Sequence, residues 1–256
     1  MEKLKVAVIG VGHLGKAHAR IYSEIPDVSL VGVVDTDKDV GEAVAQRCNT
    51  RYYGSFEELL DKVDAASVVV PTKSHYKITK ELLNNGIHVL VEKPMTGTVS
   101  EAEDLIKLSR QSSVILQPGY IERFNPALET IKKLDVSLKF IECHRLSPFT
   151  FRSADIGVVL DLMIHDIDII LYLSKSKVKK IDAVGVNVIA DKEDIANARI
   201  QFENGCVANI TASRVSFEPM RRIRLFSENS YISLDYQKQE ALIYKKSPKL
   251  TLKSID

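Results

Sequence analysis

Little in this sequence could build a disulfide framework, a membrane span or a nucleic-acid surface. Its 256 residues include only three cysteines, Cys48, Cys143 and Cys206. They are odd in number, widely spaced and match no zinc pattern, so reduced, buried thiols and no metal site are expected. No apolar run approaches the roughly 20 residues that a bilayer crossing needs. Formal charge is +1, which exerts no pull toward nucleic acid or an anionic membrane. No internal repeat and no low-complexity segment is present. The N terminus runs from Met1-Glu2-Lys3 straight into an apolar strand and a glycine motif. A cleavable signal peptide would carry that motif away, so a cytoplasmic protein is expected.

What is present is an ordinary globular composition, 45% hydrophobic and 27% charged, long enough for one large domain or two small ones. Short apolar runs at 4–9, 28–34, 51–53, 66–70, 88–91 and 114–117 read as buried strands. Between them lie helical stretches at 13–25, 38–48, 75–84 and 100–109. A further helix opens at Ser55, where Ser55 and Glu58 have capping-box spacing. Strands alternating with helices predict a doubly wound parallel sheet. The pattern changes near residue 120. Helices at 125–134 and 158–173 accompany strands at 138–145, 178–189, 195–202, 207–215, 222–227, 231–236 and 241–245. Asn204-Gly205, between two alternating runs, signals a hairpin. The expected fold class is therefore α/β: a Rossmann domain over 1–120, then an α+β domain over 121–256 with a mostly antiparallel open sheet.

Gly10-x-Gly12-x-x-Gly15 follows a strand and opens a helix inside a βαβ unit. Gly10 permits a tight turn, Gly12 lets backbone approach a pyrophosphate, and Gly15 lets helix and strand pack closely. The intervening His13 and Leu14 share this cofactor loop. The helix N terminus offers free N–H groups and positive dipole to phosphate. Asp35 lies 20 residues beyond Gly15 at the end of the second strand, where a carboxylate accepts from ribose hydroxyls and repels a 2′-phosphate. NAD is thus favoured over NADP. A glycine turn also occurs in other nucleotide folds, such as methyltransferases.

Glu92-Lys93-Pro94 ends a parallel strand, on the ligand side of such a sheet. An ammonium there can hold or deprotonate a substrate hydroxyl once burial and charge lower its pKa; the alternative is a surface lysine. Asp161, His165 and Asp168 stand at i, i+4 and i+7 of a very apolar helix, hence on one face. Polar groups there need a partner or a cleft. His165 can take a carbinol proton with Asp161 orienting it, or it is a satisfied structural histidine.

Taken together, Gly10-x-Gly12-x-x-Gly15-x-x-His18, Glu92-Lys93-Pro94 and Asp161-x-x-x-His165-x-x-Asp168 resemble the glucose–fructose oxidoreductase / inositol dehydrogenase family (Gfo/Idh/MocA) along essentially the whole chain. The resemblance implies a Rossmann domain followed by a domain whose open sheet joins subunits into a homodimer or homotetramer. It also implies NAD(P)-linked chemistry at a sugar or cyclitol carbon. It makes Lys93, Asp161 and His165 the catalytic residues, and it places Pro71, Thr72, His75, Glu92 and Lys93 beside the cofactor.

The stretches 119–126 and 155–168 look like the subgroup of UDP-N-acetylglucosamine 3-dehydrogenases, which oxidise the sugar 3-hydroxyl to a ketone. In that reading Arg123, Asn125, Arg145, Arg152 and Asp168 meet the substrate, and Arg214, Arg221 and Arg222 add positive charge suited to a diphosphate. Each of these arginines could equally be a strand or loop charge. The rival readings are a free-sugar or cyclitol dehydrogenase and a catalytically silent, NAD-sensing regulator. Members of the family run some tens of residues longer, so a fragment, a short form or a sheet completed by a partner is also expected.

Overall fold

A computed structural model describes residues 2–132, 136–150 and 156–247. The chain separates into two compact units, 1–119 and 120–256.

In the first unit, six strands lie in the order β3-β2-β1-β4-β5-β6, each pair parallel. They are β1 (Leu4–Ile9), β2 (Val28–Val34), β3 (Arg51–Tyr53), β4 (Ala65–Val68), β5 (His88–Val91) and β6 (Leu116–Pro118). The strands are nearly all apolar because both sheet faces are covered. Val8 and Val33 pack with Ala19 of α1 (Gly15–Glu24) and Val44 and Ala45 of α2 (Lys38–Arg47). On the other face, Ile9, Val68 and Val91 pack with Leu82 and Leu83 of α3 (Thr72–Asn84) and Leu105 of α4 (Val99–Gln111). Each fully buried leucine contributes about 1.5–3 kcal/mol relative to exposure.

Two elements differ locally from expectation. The helix expected at Ser55 is a single 3₁₀ turn, Phe56–Leu59, though the Ser55 N–H does donate to Glu58 Oε1 at 3.1 Å. The helix expected from His75 begins a turn earlier, at Thr72, because Pro71 (φ −57°, ψ 142°) turns the chain directly into it.

The second unit holds a seven-stranded sheet in the order β13-β12-β11-β7-β10-β9-β8. The strands are β7 (Leu138–Leu146), β8 (Val178–Val186), β9 (Ile195–Phe202), β10 (Val207–Ser213), β11 (Met220–Ser227), β12 (Ser230–Asp235) and β13 (Glu240–Lys245). Only the β7–β10 pair is parallel. Gly205, at φ +85°, makes the hairpin between β9 and β10.

One sheet face packs on α5 (Pro126–Lys132) and α6 (Ile164–Ser174), whereas β8 is exposed along its length. The single helix expected over 158–173 opens instead with a wide π turn, Val159–Met163, before α6. Asp161 therefore sits on the π turn and His165 on α6, so the regular i, i+4 register is interrupted between them.

Asp194 closes the loop between β8 and β9. Its Oδ2 accepts from the N–H groups of Val188 (2.8 Å), Ile189 (2.6 Å) and Ala190 (3.0 Å), and its Oδ1 from Arg214 Nε at 2.7 Å. Burial alone would raise this carboxyl, but those donors outweigh it and hold it well below the usual range. The resulting stabilisation is complete above the unfolded value of about 4 and is lost as pH falls below it. Denaturant titrations between pH ~5 and ~3 should therefore show a steep acid decline in the parent. Asp194→Asn should start less stable and decline less. Parallel acid limbs would remove the role given to Asp194.

Candidate functional site

The glycine loop makes a different demand at each glycine. Gly10 has φ +85°, and a Cβ there would stand 2.7 Å from the Val69 carbonyl oxygen. A Cβ on Gly15 would overlap the Gly10 carbonyl. A Cβ on Gly12 would meet no protein atom within 4 Å. Protein packing therefore explains Gly10 and Gly15 but leaves open space at Gly12, as a site for a closely approaching external group requires.

No side chain caps the N terminus of α1, and its first turn carries no acid, which leaves backbone N–H groups for a phosphate. By contrast, Asp37 caps α2 and Thr98 caps α4. His13 and Leu14 sit exposed in the turn before α1.

Asp35 lies beside this loop. Its Oδ2 accepts from Val11 N–H at 2.8 Å and its Oδ1 from Asp37 N–H at 3.0 Å. The carboxylate is thus fixed and has lone pairs left for ribose hydroxyls. Gly10, Gly12, Asp35, Pro71 and Ser74 line a cleft of about 720 Å³, within the range of pockets that enclose a small ligand or cofactor moiety. An uncapped helix start, the space at Gly12, the fixed carboxylate and the cleft together fit a dinucleotide.

Lys93 is half-buried just beyond β5, and the Lys93–Pro94 peptide is cis. Two neighbours expected to touch cofactor have other partners. Glu92 is buried, with Oε1 3.2 Å from His18 Nε2 and Oε2 accepting from its neighbour Lys93 N–H at 3.3 Å. His75, expected beside the cofactor at the start of a helix, is 1% exposed within α3. Its Nδ1 lies 2.8 Å from Pro94 O and its Nε2 2.8 Å from Val70 O, so its ring is occupied by backbone. Thr72 is the first residue of α3.

In the second unit, Asp161 and His165 are half-buried. Several residues expected on substrate pair with protein groups. Arg145 is 2% exposed. It donates to both oxygens of Asp166 at 2.8 and 3.0 Å, and to Glu122 at 3.3 Å. Arg123 forks onto Asp168 at 2.7 and 2.6 Å. Asn125 caps Ala127 N–H at 3.1 Å and donates to Tyr236 O at 3.3 Å. Arg214 is tied to Asp194, and Arg222 donates to Asp235 at 3.2 Å. Arg221 is exposed, and Arg152 lies outside the described residues.

Sequence reasoning missed His18, Glu122 and Asp166 as partners. One signal was readable: Arg145 falls in phase with Ile141 and Cys143 on the inward face of β7, where a cation needs an acid.

The profile described as "Oxidoreductase family, NAD-binding Rossmann fold" matches residues 4–120, and that of the GFO/IDH/MocA C-terminal domain matches 140–233. The chain is 39% identical to UDP-N-acetylglucosamine 3-dehydrogenase of Acidithiobacillus ferrooxidans over 95% of its own length and 78% of that enzyme. It is 29% identical to scyllo-inositol 2-dehydrogenase (NAD(+)) of Bacillus subtilis, over 84% of itself and 68% of that relative. A solved structure of the Acidithiobacillus enzyme superposes with a TM-score of 0.91, covering 96% of this chain and 81% of that one.

The glycine geometry separates two outcomes. Gly12→Ala should leave thermal stability unchanged yet weaken NAD at least ~10-fold, because only the cofactor meets the added methyl. Gly15→Ala should lower the melting temperature, since helix and strand must part. Asp35→Ala should weaken NAD and narrow its advantage over NADP. Calorimetric NAD titration with thermal melts checks all three; normal NAD affinity in Gly12→Ala would refute the cradle.

Proposed function

The chain belongs to the GFO/IDH/MocA oxidoreductase family, and from that premise we propose that it oxidises the 3-hydroxyl of a UDP-N-acetylhexosamine to a ketone with NAD. The observation that carries this reading is the 39% identity, across 95% of the chain, to an enzyme named for that reaction. The uncapped start of α1 and Asp35 hold the cofactor by its phosphates and ribose. Bound NAD supplies the hydride acceptor. We assign His165, with Asp161 behind it, the role of proton acceptor, and Lys93 that of holding the substrate. Taking the proton as the hydride leaves avoids a full alkoxide, which is the ordinary benefit of a general base.

The finer aspects of this reading rest on fewer observations. The apolar, exposed Ile181, Val184, Leu242 and Tyr244 of the second unit's sheet suit self-association into a homo-oligomer. Free thiols at Cys48, Cys143 and Cys206 suit a reducing, cytoplasmic setting. Among the described residues no helix is long and apolar enough to cross a membrane.

The test mixes near-stoichiometric enzyme with NAD and UDP-N-acetylglucosamine and follows NADH fluorescence. Free N-acetylglucosamine, glucose and inositol serve as comparisons. NADH should form with the UDP-sugar and not with the free sugars. Lys93→Ala and His165→Ala should each cut the rate by roughly 10²-fold or more with NAD affinity retained. NADH formed from inositol alone would move the protein to the cyclitol dehydrogenases. Silence with every sugar, despite NAD binding, would overturn the reading in favour of a sensor.

A further inference from the structure

Lys93 has a long, flexible side chain, so its aim depends on how firmly its backbone is held. The parallel strand β5 ends two residues earlier, at Val91. Glu92 N–H still donates to Val68 O at 3.0 Å. Beyond that, both chain neighbours of Lys93 are gripped by histidine rings from different helices.

On the N-terminal side, His18 of α1 places Nε2 3.2 Å from Glu92 Oε1 and Nδ1 3.3 Å from Ser67 Oγ. An ionised carboxylate only accepts, so Nε2 carries the proton. In the neutral ring Nδ1 then accepts from the Ser67 hydroxyl, and Tyr22 OH, 2.9 Å away, donates to Ser67. Every bond from Tyr22 through Ser67 and His18 to Glu92 therefore runs in one direction, and Glu92 passes the restraint to the Lys93 amide at 3.3 Å. Gly119 closes the pocket: a Cβ there would stand 3.0 to 3.2 Å from the Glu92 carboxylate. On the C-terminal side, the ring of buried His75 in α3 is packed between Pro94 O and Val70 O, each 2.8 Å from a ring nitrogen, with Nδ1–H facing Pro94 in the tautomer that braces it.

We propose that His18 and His75 are positioning residues that brace Lys93 from its two sides. Neither needs to touch cofactor or substrate. His18 acts through the Glu92 carboxylate and His75 through the Pro94 carbonyl. The inference rests on the role given to Lys93 above. It adds a specific mechanism, in which the helix that offers its N terminus to the cofactor phosphates also steers the lysine one turn further on.

The test uses His18→Ala, His75→Ala, His75→Gln and Gly119→Ala in the full chain, with NADH formation, NAD titration and hydrogen exchange of the 88–98 segment. Gly119→Ala displaces Glu92 without altering either histidine, so the inference does not hang on whether His75→Ala folds. Each substitution should lower turnover ~10-fold or more, since small misplacements of reacting groups cost that much. NAD affinity should be unchanged and amide exchange across residues 92–96 faster. His75→Gln keeps an N–H donor and should recover part of the rate lost in His75→Ala. In a Lys93→Ala background the same substitutions should add no further loss, because residues acting through one group are not additive.

Additive losses, or unchanged exchange at 92–96, would overturn the brace and leave the role of Lys93 standing. Full turnover in Lys93→Ala would overturn both. If no sugar is turned over by the parent, the substrate reading fails, and the exchange data alone still decide the brace.

Discussion

The first unit depends on one close approach, that of the start of α1 to the end of β1. With hydrogen at the Gly15 Cα, the helix begins against the Gly10 carbonyl; any side chain there would overlap it. That approach aims an uncapped helix end along the sheet's C-terminal edge. It also brings the Val11 amide within 2.8 Å of Asp35, so the carboxylate at the end of β2 is placed by the loop it serves. Because helix rise and turn are fixed, the same contact sets His18, three residues further along α1, facing Glu92. A single steric condition at the loop thus orders groups at the ends of three strands and on one helix.

The parts of this fold legible in the sequence are those carried by local pattern. Apolar runs bounded by turn residues marked β1, β2 and β5 closely, because strands covered on both faces carry little polar interruption. Asn204-Gly205 marked its hairpin because few other pairs accept the left-handed backbone found at Gly205. Spacing of Gly10, Gly12, Gly15 and Asp35 marked the glycine turn and the cleft beside it because each answers a distinct local demand. The less legible features depend on partners distant in the chain. Periodicity says that His75 lies on a helix but not that the Pro94 carbonyl, 19 residues away, will stand 2.8 Å from its ring. Likewise a run of Val, Leu, Asp and Met carries no local mark of the π turn at 159–163.

The arginines of the second unit show the same limit in electrostatic form. A guanidinium suits a diphosphate, and by type alone Arg123, Arg145 and Arg214 are equivalent candidates. Their surroundings separate them. Arg145 lies on the inward side of β7, where desolvation is severe unless an acid completes the pair. Asp166 and Glu122 supply it, from residues 21 and 23 positions away in sequence. An inward-pointing arginine in an alternating strand is therefore better evidence of an unseen carboxylate within the fold than of a ligand outside it.

That pairing also acts on α6. Asp166 follows His165 directly, and its two-pronged bond to Arg145 fixes the roll of α6 about its own axis. On a helix, successive side chains diverge by about 100°. With Asp166 turned toward β7, His165 must point along another face. Breaking such a pair by removing one partner typically costs 3–5 kcal/mol, roughly the cost of an uncompensated buried charge. So large a penalty for rotation means that the direction of His165 is held by its neighbour in sequence, Asp166. The buried arginine thus orients a helix through the carboxylate it pairs with.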